Sequence, residues 1–198
     1  MEISSYFKER RGYGLHEGID IIGSKKDTVK SLLQGTVERT GIDYTGYGNF
    51  VVMKHNSKYF FKSTPFMENF YTLYGHLRSI NPIIYEKAKE KEFTKRFVNI
   101  QDDIGYFGNT GSCWTSYNKD GSKSDKSRPV TMIEQSDVDC NFGVHLHFSI
   151  FSEKKESELS NWLLEKKILA PIDILSWNFR YYYNPVKLLD FFKSEFGE

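Results

Sequence analysis

Cysteine is scarce in this chain of 198 residues, which contains only Cys113 and Cys140. The two do not form a Cys-x-x-Cys pair, so a four-cysteine zinc site and a thioredoxin-type motif are excluded. Long apolar runs are missing as well, because no stretch approaches the roughly 18 residues that a membrane-spanning helix needs. We therefore expect no membrane span in this chain.

An excess of charge of either sign is also absent. Lys and Arg together number 27 and Asp and Glu number 26, which gives a formal net charge of +1. Without a basic surface field the chain has no general attraction for a phosphate backbone. We expect no nucleic-acid partner, and the sequence leaves the oligomeric state open.

Aromatic residues are plentiful, at 16% of the chain, and strands accept them readily. In the first half of the chain, glycines separate short runs of β-branched and aromatic residues, a pattern typical of antiparallel strands joined by turns. The sequence predicts a mainly β fold with minor α content. The candidate strands are 35–40, 49–54, 59–62, 70–74, 104–107 and 144–151.

The organisation along the chain predicts a single domain over residues 1–198. Its core spans about 12–152, and the polar, Ser-, Lys- and Asp-rich segment 112–142 is expected to be a long insertion. Residues 83–97 are charged and could form a surface helix or a solvated loop; we expect the loop.

The last part of the chain, 157–198, is predicted to be helical and to cover one end of the sheet. Leu159, Trp162 and Leu163 recur at the spacing of one helix face. Asn184 followed by Pro185 is typical of an N-cap with proline at the first helical position.

The histidines are the most informative feature. His145 and His147 alternate in a predicted strand, so both imidazoles should share one face. His16 and Asp20 can converge on one ion if a turn or bulge forms at Gly18. Two histidines with one carboxylate form a known catalytic zinc set, although two surface histidines are the simpler interpretation of His145 and His147 alone.

The remaining histidines are His76, which follows an apolar strand, and His55, which lies where a strand runs into a turn. Taken alone, each is expected to be structural.

The order of the motifs along the chain changes this interpretation. The motifs are His16-x-x-x-Asp20, Gly46-Tyr47-Gly48-Asn49, Tyr74-Gly75-His76-Leu77, Gly108-Asn109-Thr110-Gly111 and His145-Leu146-His147-Phe148, with Asn184-Pro185 near the end. Their order resembles that of the lysostaphin/LytM-type zinc endopeptidases, which cleave peptide bonds in bacterial peptidoglycan.

The resemblance implies an antiparallel β-sheet groove of the lysostaphin/LytM-type fold (the duplicated hybrid motif), with long loop insertions and C-terminal helices. It implies one Zn²⁺ held by His16, Asp20 and His147. His145 and His76 would be the catalytic, non-ligating pair, their separate roles being left open.

The resemblance also suggests which residues line the substrate groove and where in the cell the protein acts. Asn49 and Tyr13 are expected to bind substrate, with turn and packing roles as the alternative. The substrate would be a cross-bridge or stem peptide. We expect the protein to act in the periplasm, in the cell envelope or after secretion, with an export segment before Met1.

Two alternatives and one further expectation follow. The chain could hydrolyse another peptide or amide, or be a non-catalytic domain that binds peptidoglycan or activates another hydrolase. A zinc deaminase is a poorer hypothesis than these, because the Pro-Cys-x-x-Cys partner of its His-x-Glu motif is absent. Cys113 and Cys140 are expected to form a disulfide that closes the insertion into one loop.

Overall fold

The computed structural model describes residues 2–11, 14–60, 68–118, 120, 122–153, 158–170, 173–177 and 180–196. The strands within them are β1 Ile3–Ser5, β2 Arg10–Arg11, β3 Gly14–Leu15, β4 Ile19–Ile22, β5 Thr28–Lys30, β6 Gly35–Asp43, β7 Gly48–Asn56, β8 Asn69–Leu77, β9 Ser79–Ile80, β10 Phe97–Val98, β11 Asp103–Tyr106, β12 Trp114–Tyr117, β13 Lys123–Pro129, β14 His145–Ser152, β15 Ile174–Trp177 and β16 Arg180–Tyr183. The helices are α1 Ser57–Phe60, α2 Pro82–Lys89, α3 Met132–Ser136, α4 Glu158–Glu165 and α5 Pro185–Phe196, with a 3₁₀ turn at Phe93–Arg96.

The main sheet has the order β1-β4-β14-β8-β7-β6-β10, with β16 pairing beside β14 and β15 beside β16. Its pairings are antiparallel. Smaller sheets are formed by β5-β11-β9, by β12-β13 and by β2-β3. The prediction of a mainly β, antiparallel fold is confirmed, and so are the strands expected within 35–40, 49–54, 70–74, 104–107 and 144–151.

The central strand β14 alternates between two apolar clusters, one on each face of the sheet. Leu146, Phe148 and Ile150 belong to the large core, on which α4 and α5 pack through residues such as Leu163 and Phe192. Phe151 belongs to a smaller cluster with Val52, Leu73 and Tyr182. His145 and His147 share the face of Phe151 because strand side chains alternate with a period of two. The sheet therefore presents both imidazoles away from the large core.

The expected loop over 83–97 is wrong, because α2 begins at Pro82. The side chain of Asn81 accepts a hydrogen bond from the Ile83 N–H (2.9 Å), so it caps the helix N-terminus. Ile84 is buried in the core, whereas Glu86 and Lys89 are exposed to solvent. One buried anchor and a capped first turn are sufficient for a short helix here.

The strand expected at 59–62 is also wrong where it can be seen, because Tyr59 and Phe60 belong to α1, while 61–67 lie outside the described residues. Phe60 is buried against Phe70 and Phe192, with ring centroids 5.4 and 5.3 Å away. Phe60, one of the aromatic residues that suggested a strand, therefore packs α1 against β8 and α5.

The C-terminal segment contains the two expected helices, and Leu159, Trp162 and Leu163 are buried in α4. Asn184 caps α5, with its side-chain oxygen accepting from the Val186 N–H (3.2 Å). The segment also contains β15 and β16, which the prediction missed. β16 is recruited because its residues pair with Ile150–Ser152, the end of β14 that β4 does not cover.

The insertion 112–142 contains the hairpin β12-β13 and the helix α3. Thr131 and Glu134 form a capping box at the start of α3. Lys25, which is fully buried, donates from Nζ to the backbone carbonyls of Glu134, Gln135 and Asp137. The insertion is thereby attached to the turn that follows β4.

Among the described residues, no helix is long and apolar enough to cross a membrane.

Candidate active site

Sheet register brings the site residues together on β14 and its two neighbours. His147 is opposite Asp20 of β4 on one side and opposite Gly75 of β8 on the other. His76 follows Gly75, and His16 precedes β4. Three motifs that are far apart in the sequence are therefore adjacent at one position across the sheet.

His16, Asp20 and His147 point one donor atom each at a common point. His16 Nε2 lies 3.0 Å from His147 Nδ1, and Asp20 Oδ1 lies 3.2 Å from each of these nitrogens. All three side chains are buried. Tetrahedral zinc, with bonds of about 2.0–2.1 Å to nitrogen and oxygen, separates its ligand atoms by about 3.3 Å. The donor types and their spacing therefore fit a zinc ion.

The outer contacts of this set hold its donor atoms in place. His16 Nδ1 lies 3.1 Å from the Tyr6 carbonyl oxygen, which fixes the ring with Nε2 toward the other ligands. Arg11 hydrogen-bonds Asp20 Oδ2 and so leaves Oδ1 facing the histidines. Hydrogen bonds from the far side of a ligand are the usual way of fixing its tautomer and orientation.

Gly18 gives His147 the room to adopt this position. A Cβ at residue 18 would lie 2.9 Å from His147 Nε2 and 2.5 Å from the Phe148 carbonyl oxygen. No side chain fits there without moving the ring. Gly18 lies in a bend between His16 and Asp20, the condition under which the sequence allows these two side chains to converge.

His76 and His145 form a second pair beside the first set, with ring centroids 4.6 Å apart. His145 Nε2 lies 3.7 Å from Asp20 Oδ1. His76 Nδ1 donates to the Thr110 carbonyl (2.8 Å) and His145 Nδ1 donates to the Gly143 carbonyl (2.9 Å). In the neutral form of each ring, Nε2 therefore keeps a free lone pair.

Burial and local charge set the protonation of these groups. Burial alone would raise the pKa of Asp20, but hydrogen bonds from His147 and His16 outweigh it and lower the pKa far below its usual range. Burial lowers the pKa of His145, opposed by the charge of Asp20. Burial also lowers the pKa of His76, well below its ordinary value, and His145 adds to this. The pair is therefore neutral at neutral pH.

Tyr47 lies beside both histidine groups, although the sequence motif gave it no separate role. Its ring centroid is 5.2 Å from that of His147 and 6.5 Å from that of His76. Its hydroxyl donates to Glu17 Oε1 (2.5 Å). Burial raises the pKa of Tyr47, and the charge of Glu17 raises it further, so the hydroxyl stays protonated.

Arg11 was missed as well, because its contact with Asp20 comes from the separate β2-β3 hairpin and no spacing signals it. Asn49 has structural contacts in this structure: its Nδ2 donates to the carbonyls of Leu77 and Arg78 (3.0 Å each). Substrate contact by Asn49 stays a prediction. Tyr13 lies outside the described residues.

The expected disulfide is wrong, because Cys113 and Cys140 are free thiols. Cys113 Sγ lies within 4.8 Å of one ring nitrogen of His76 and one of His145. The side chain therefore points toward the histidine pair. Cys140 is in the turn after α3, where its N–H donates to the Asp137 carbonyl (3.3 Å).

Gly143 lies between the start of the insertion and the histidine pair and contacts both. A Cβ at Gly143 would lie 2.8 Å from the Trp114 carbonyl oxygen, and Gly143 has a φ of +66°. The Gly143 carbonyl is the acceptor for His145 Nδ1. The hairpin that begins at Trp114 therefore stands next to His145.

The sequence matches the family model described as Peptidase family M23 over residues 14–159. The chain therefore belongs to peptidase family M23. The match spans all five residues of the two histidine groups described above. No curated protein matches the chain by sequence.

Solved structures of similar fold come from several bacteria. A mutant catalytic domain of the prophage-encoded M23 protein EnpA from Enterococcus faecalis is 18% identical, with 76% of this chain and 79% of that chain covered and a TM-score of 0.44. The catalytic domain of the antimicrobial peptidase lysostaphin from Staphylococcus simulans is 19% identical, with coverages of 77% and 80% and a TM-score of 0.44. A zinc-containing peptidase from Vibrio cholerae is 21% identical with a TM-score of 0.45; 75% of this chain is covered but only 32% of that longer chain. Membership of the family is shown by the sequence match to the M23 family model and not by these structures.

Proposed function

We propose that this chain is a zinc-dependent endopeptidase that cleaves peptide bonds in bacterial peptidoglycan, in a cross-bridge or a stem peptide. The observation that carries the proposal is the convergence of His16 Nε2, Asp20 Oδ1 and His147 Nδ1 at 3.0–3.2 Å. Membership of the M23 peptidase family supports the same class of reaction.

His16, Asp20 and His147 would hold the zinc ion. Two neutral imidazoles and one carboxylate are a donor set that catalytic zinc uses when one position is kept for water or substrate. When bound, zinc supplies a Lewis acid that polarises a carbonyl oxygen and lowers the pKa of coordinated water to about 7. The buried carboxylate of Asp20, fully ionised, offsets part of the positive charge of the ion.

His145 and His76 would move the proton. Each presents a free Nε2 lone pair, because its Nδ1–H is bonded to a backbone carbonyl. A neutral imidazole can accept the proton of the attacking water at Nε2 and return it to the leaving amine. His145 Nε2 lies 3.7 Å from Asp20 Oδ1. We therefore assign the proton transfer to His145 and the support of the reacting group to His76.

The proposed place of action follows from the proposed substrate. Peptidoglycan lies outside the cytoplasmic membrane, so the protein would act in the periplasm, in the cell envelope or after secretion. Fractionation of the native organism, with the protein detected by antibody, tests this part separately. Protein found only in the cytosol would contradict both the location and the substrate.

Activity is tested with the metal-stripped full chain, with and without one equivalent of zinc, on purified sacculi and on defined muropeptides. We expect turbidity loss and new peptide amino termini, identified by product mass spectrometry, only when zinc is present. His145→Ala, loaded with the same zinc, is the matched control, because it should keep the metal and lose the proton-transfer group. A zinc-loaded wild-type protein that releases no new amino terminus from either substrate would overturn the proposal.

A further inference from the structure

A second group of metal-ligand atoms lies beside the His16, Asp20 and His147 set. One ring nitrogen of His76, one of His145 and Sγ of Cys113 are all within 4.8 Å of one another. His76 and Cys113 are buried, and the His145 side chain is 17% exposed. Imidazole nitrogen and cysteine sulfur are the ligands that zinc and softer divalent cations prefer.

The backbone of the insertion directs the thiol to this position. The Gly111 φ is +77°, and a Cβ at residue 111 would lie 2.3 Å from the Gly48 nitrogen, so this turn requires glycine. Cys113 Sγ is 3.5 Å from the Thr110 carbonyl oxygen, the same oxygen that accepts from His76 Nδ1. The Cys113 carbonyl in turn accepts from the Val130 N–H (2.9 Å). The thiol and the His76 ring are thus held around one backbone carbonyl.

We propose that His76, His145 and Cys113 form a second site for a thiophilic divalent cation such as zinc, and that a cation bound there inhibits the enzyme. The inhibitory part rests on the proposed function, because the cation would occupy the two imidazoles that proton transfer needs. Binding is a ligand exchange without redox change: the thiol releases its proton to solvent, and the sulfur and the two nitrogens donate lone pairs to the cation.

The two sites should fill in order. Tetrahedral zinc with nitrogen and sulfur ligands needs donor atoms about 3.3–3.6 Å apart. The donors of the first set are already at 3.0–3.2 Å. The second set includes the Cys113 thiol, which must lose its proton before the sulfur can become a ligand. We therefore expect the second site to bind more weakly and to fill only after the first.

A role for Cys113 as a nucleophile is not supported. Burial raises its pKa, so the group is a thiol and not a thiolate at neutral pH. The thiolate is the reactive form of cysteine, and a cation that displaces the proton is the route by which a buried thiol becomes a ligand.

The test is a titration of the metal-stripped full chain with Co²⁺, followed by absorption spectroscopy. We expect visible bands after the first equivalent and a thiolate-to-cobalt charge-transfer band only with the second. Cys140→Ser is the matched control, since it removes the other cysteine from the same insertion and should keep the band. Cys113→Ser should lose the band and still bind the first equivalent.

The functional arm measures peptidase activity against added zinc. Excess zinc should inhibit the wild type and Cys140→Ser, whereas Cys113→Ser should keep basal activity and need about 100-fold more zinc for the same inhibition, since even the loss of a partner behind a ligand costs about 10–100-fold in affinity. A wild-type protein without the charge-transfer band, or a band that disappears in Cys140→Ser, would overturn the proposal. The spectroscopic arm uses no substrate, so its result is independent of whether the proposed peptidase activity is found.

Discussion

His147 Nδ1 lies 3.0 Å from His16 Nε2, although the two residues are 131 positions apart in the chain. Both nitrogens face Asp20 Oδ1, and none of the three side chains is appreciably exposed. Lone pairs that face each other in a buried pocket are unfavourable unless a proton or a cation lies between them. This relationship is the main support for the proposed metal site at these three residues.

The first prediction separates ligands from catalytic residues. His16→Ala, Asp20→Ala and His147→Ala should each lose both bound zinc and activity, because each removes one of three ligands. His145→Ala should keep one equivalent of zinc and lose about 10²–10⁴-fold in kcat, the usual contribution of a general base. Metal content by elemental analysis and turnover on muropeptides are measured on the same preparations. Equal zinc loss in His145→Ala and His147→Ala would show that the assignment is wrong.

The second prediction concerns Gly18. Gly18→Ala places a Cβ against His147 Nε2 and the Phe148 carbonyl, and it should weaken zinc binding by about 10–100-fold by moving a ligand. Gly41→Ala is the control, because its Cβ meets only the far end of the Phe50 ring, at 2.8 Å, away from the site. Competition with a chelator of known affinity gives both values. Wild-type affinity in Gly18→Ala would contradict the argument.

The third prediction concerns the attachment of the insertion. Lys25→Met removes the ammonium that bonds three carbonyls after and within α3. We expect a loss of about 2–4 kcal/mol in the free energy of unfolding, because hydrogen bonds to a charged group contribute about 1.5–3 kcal/mol each and are not additive. Urea denaturation measures this loss, and limited proteolysis should show faster cleavage within 112–142.

Lys26→Met is the matched control for that experiment. Lys26 forms an ion pair with Asp139 at 2.9 Å, but both side chains are mostly exposed to solvent. Exposed pairs contribute little to stability, so the variant should resemble the wild type in both measurements. If the two lysine variants behave alike, the buried ammonium does not hold the insertion.

The fourth prediction concerns pH. Burial lowers the pKa of His55 from 6.5 to about 4, opposed in part by its bond to the Gln34 carbonyl. The unfolded chain therefore binds more protons than the folded protein between these values. The stability contribution is complete above pH 6.5 and is lost as the pH falls toward 4, by about 2 kcal/mol between pH 7 and pH 5.

His55→Asn isolates this contribution from that of the other histidines. Denaturation of the wild type and the variant is compared at pH 7 and pH 5, with chelator in all samples so that metal loss does not contribute. The variant should lose about 2 kcal/mol less than the wild type over that range. An identical pH dependence in the two proteins would show that His55 does not titrate as the structure indicates.

The sequence alone determined the class of fold, and it named five residues that the structure brings together: His16, Asp20, His76, His145 and His147. Glycine-separated runs of β-branched and aromatic residues favour antiparallel strands, because such side chains pack well on a pleated, half-buried surface. The alternation of His145 and His147 with Leu146 and Phe148 fixes one face as polar, since the period of a strand is two. These inferences use local properties of the chain, which is why they did not need the fold.

The tertiary structure decided what depends on distant partners. The short helix α2 forms because Ile84 finds a buried place in the core, which its charged neighbours do not reveal. Arg11 reaches Asp20 from a separate hairpin, and β16 becomes a strand because part of β14 offers an unpaired edge. Cys113 points toward His76 and not toward Cys140, because the turn at Gly111 sets its direction. Side-chain direction after a turn is fixed by backbone contacts across the sheet, and no spacing in the sequence encodes them.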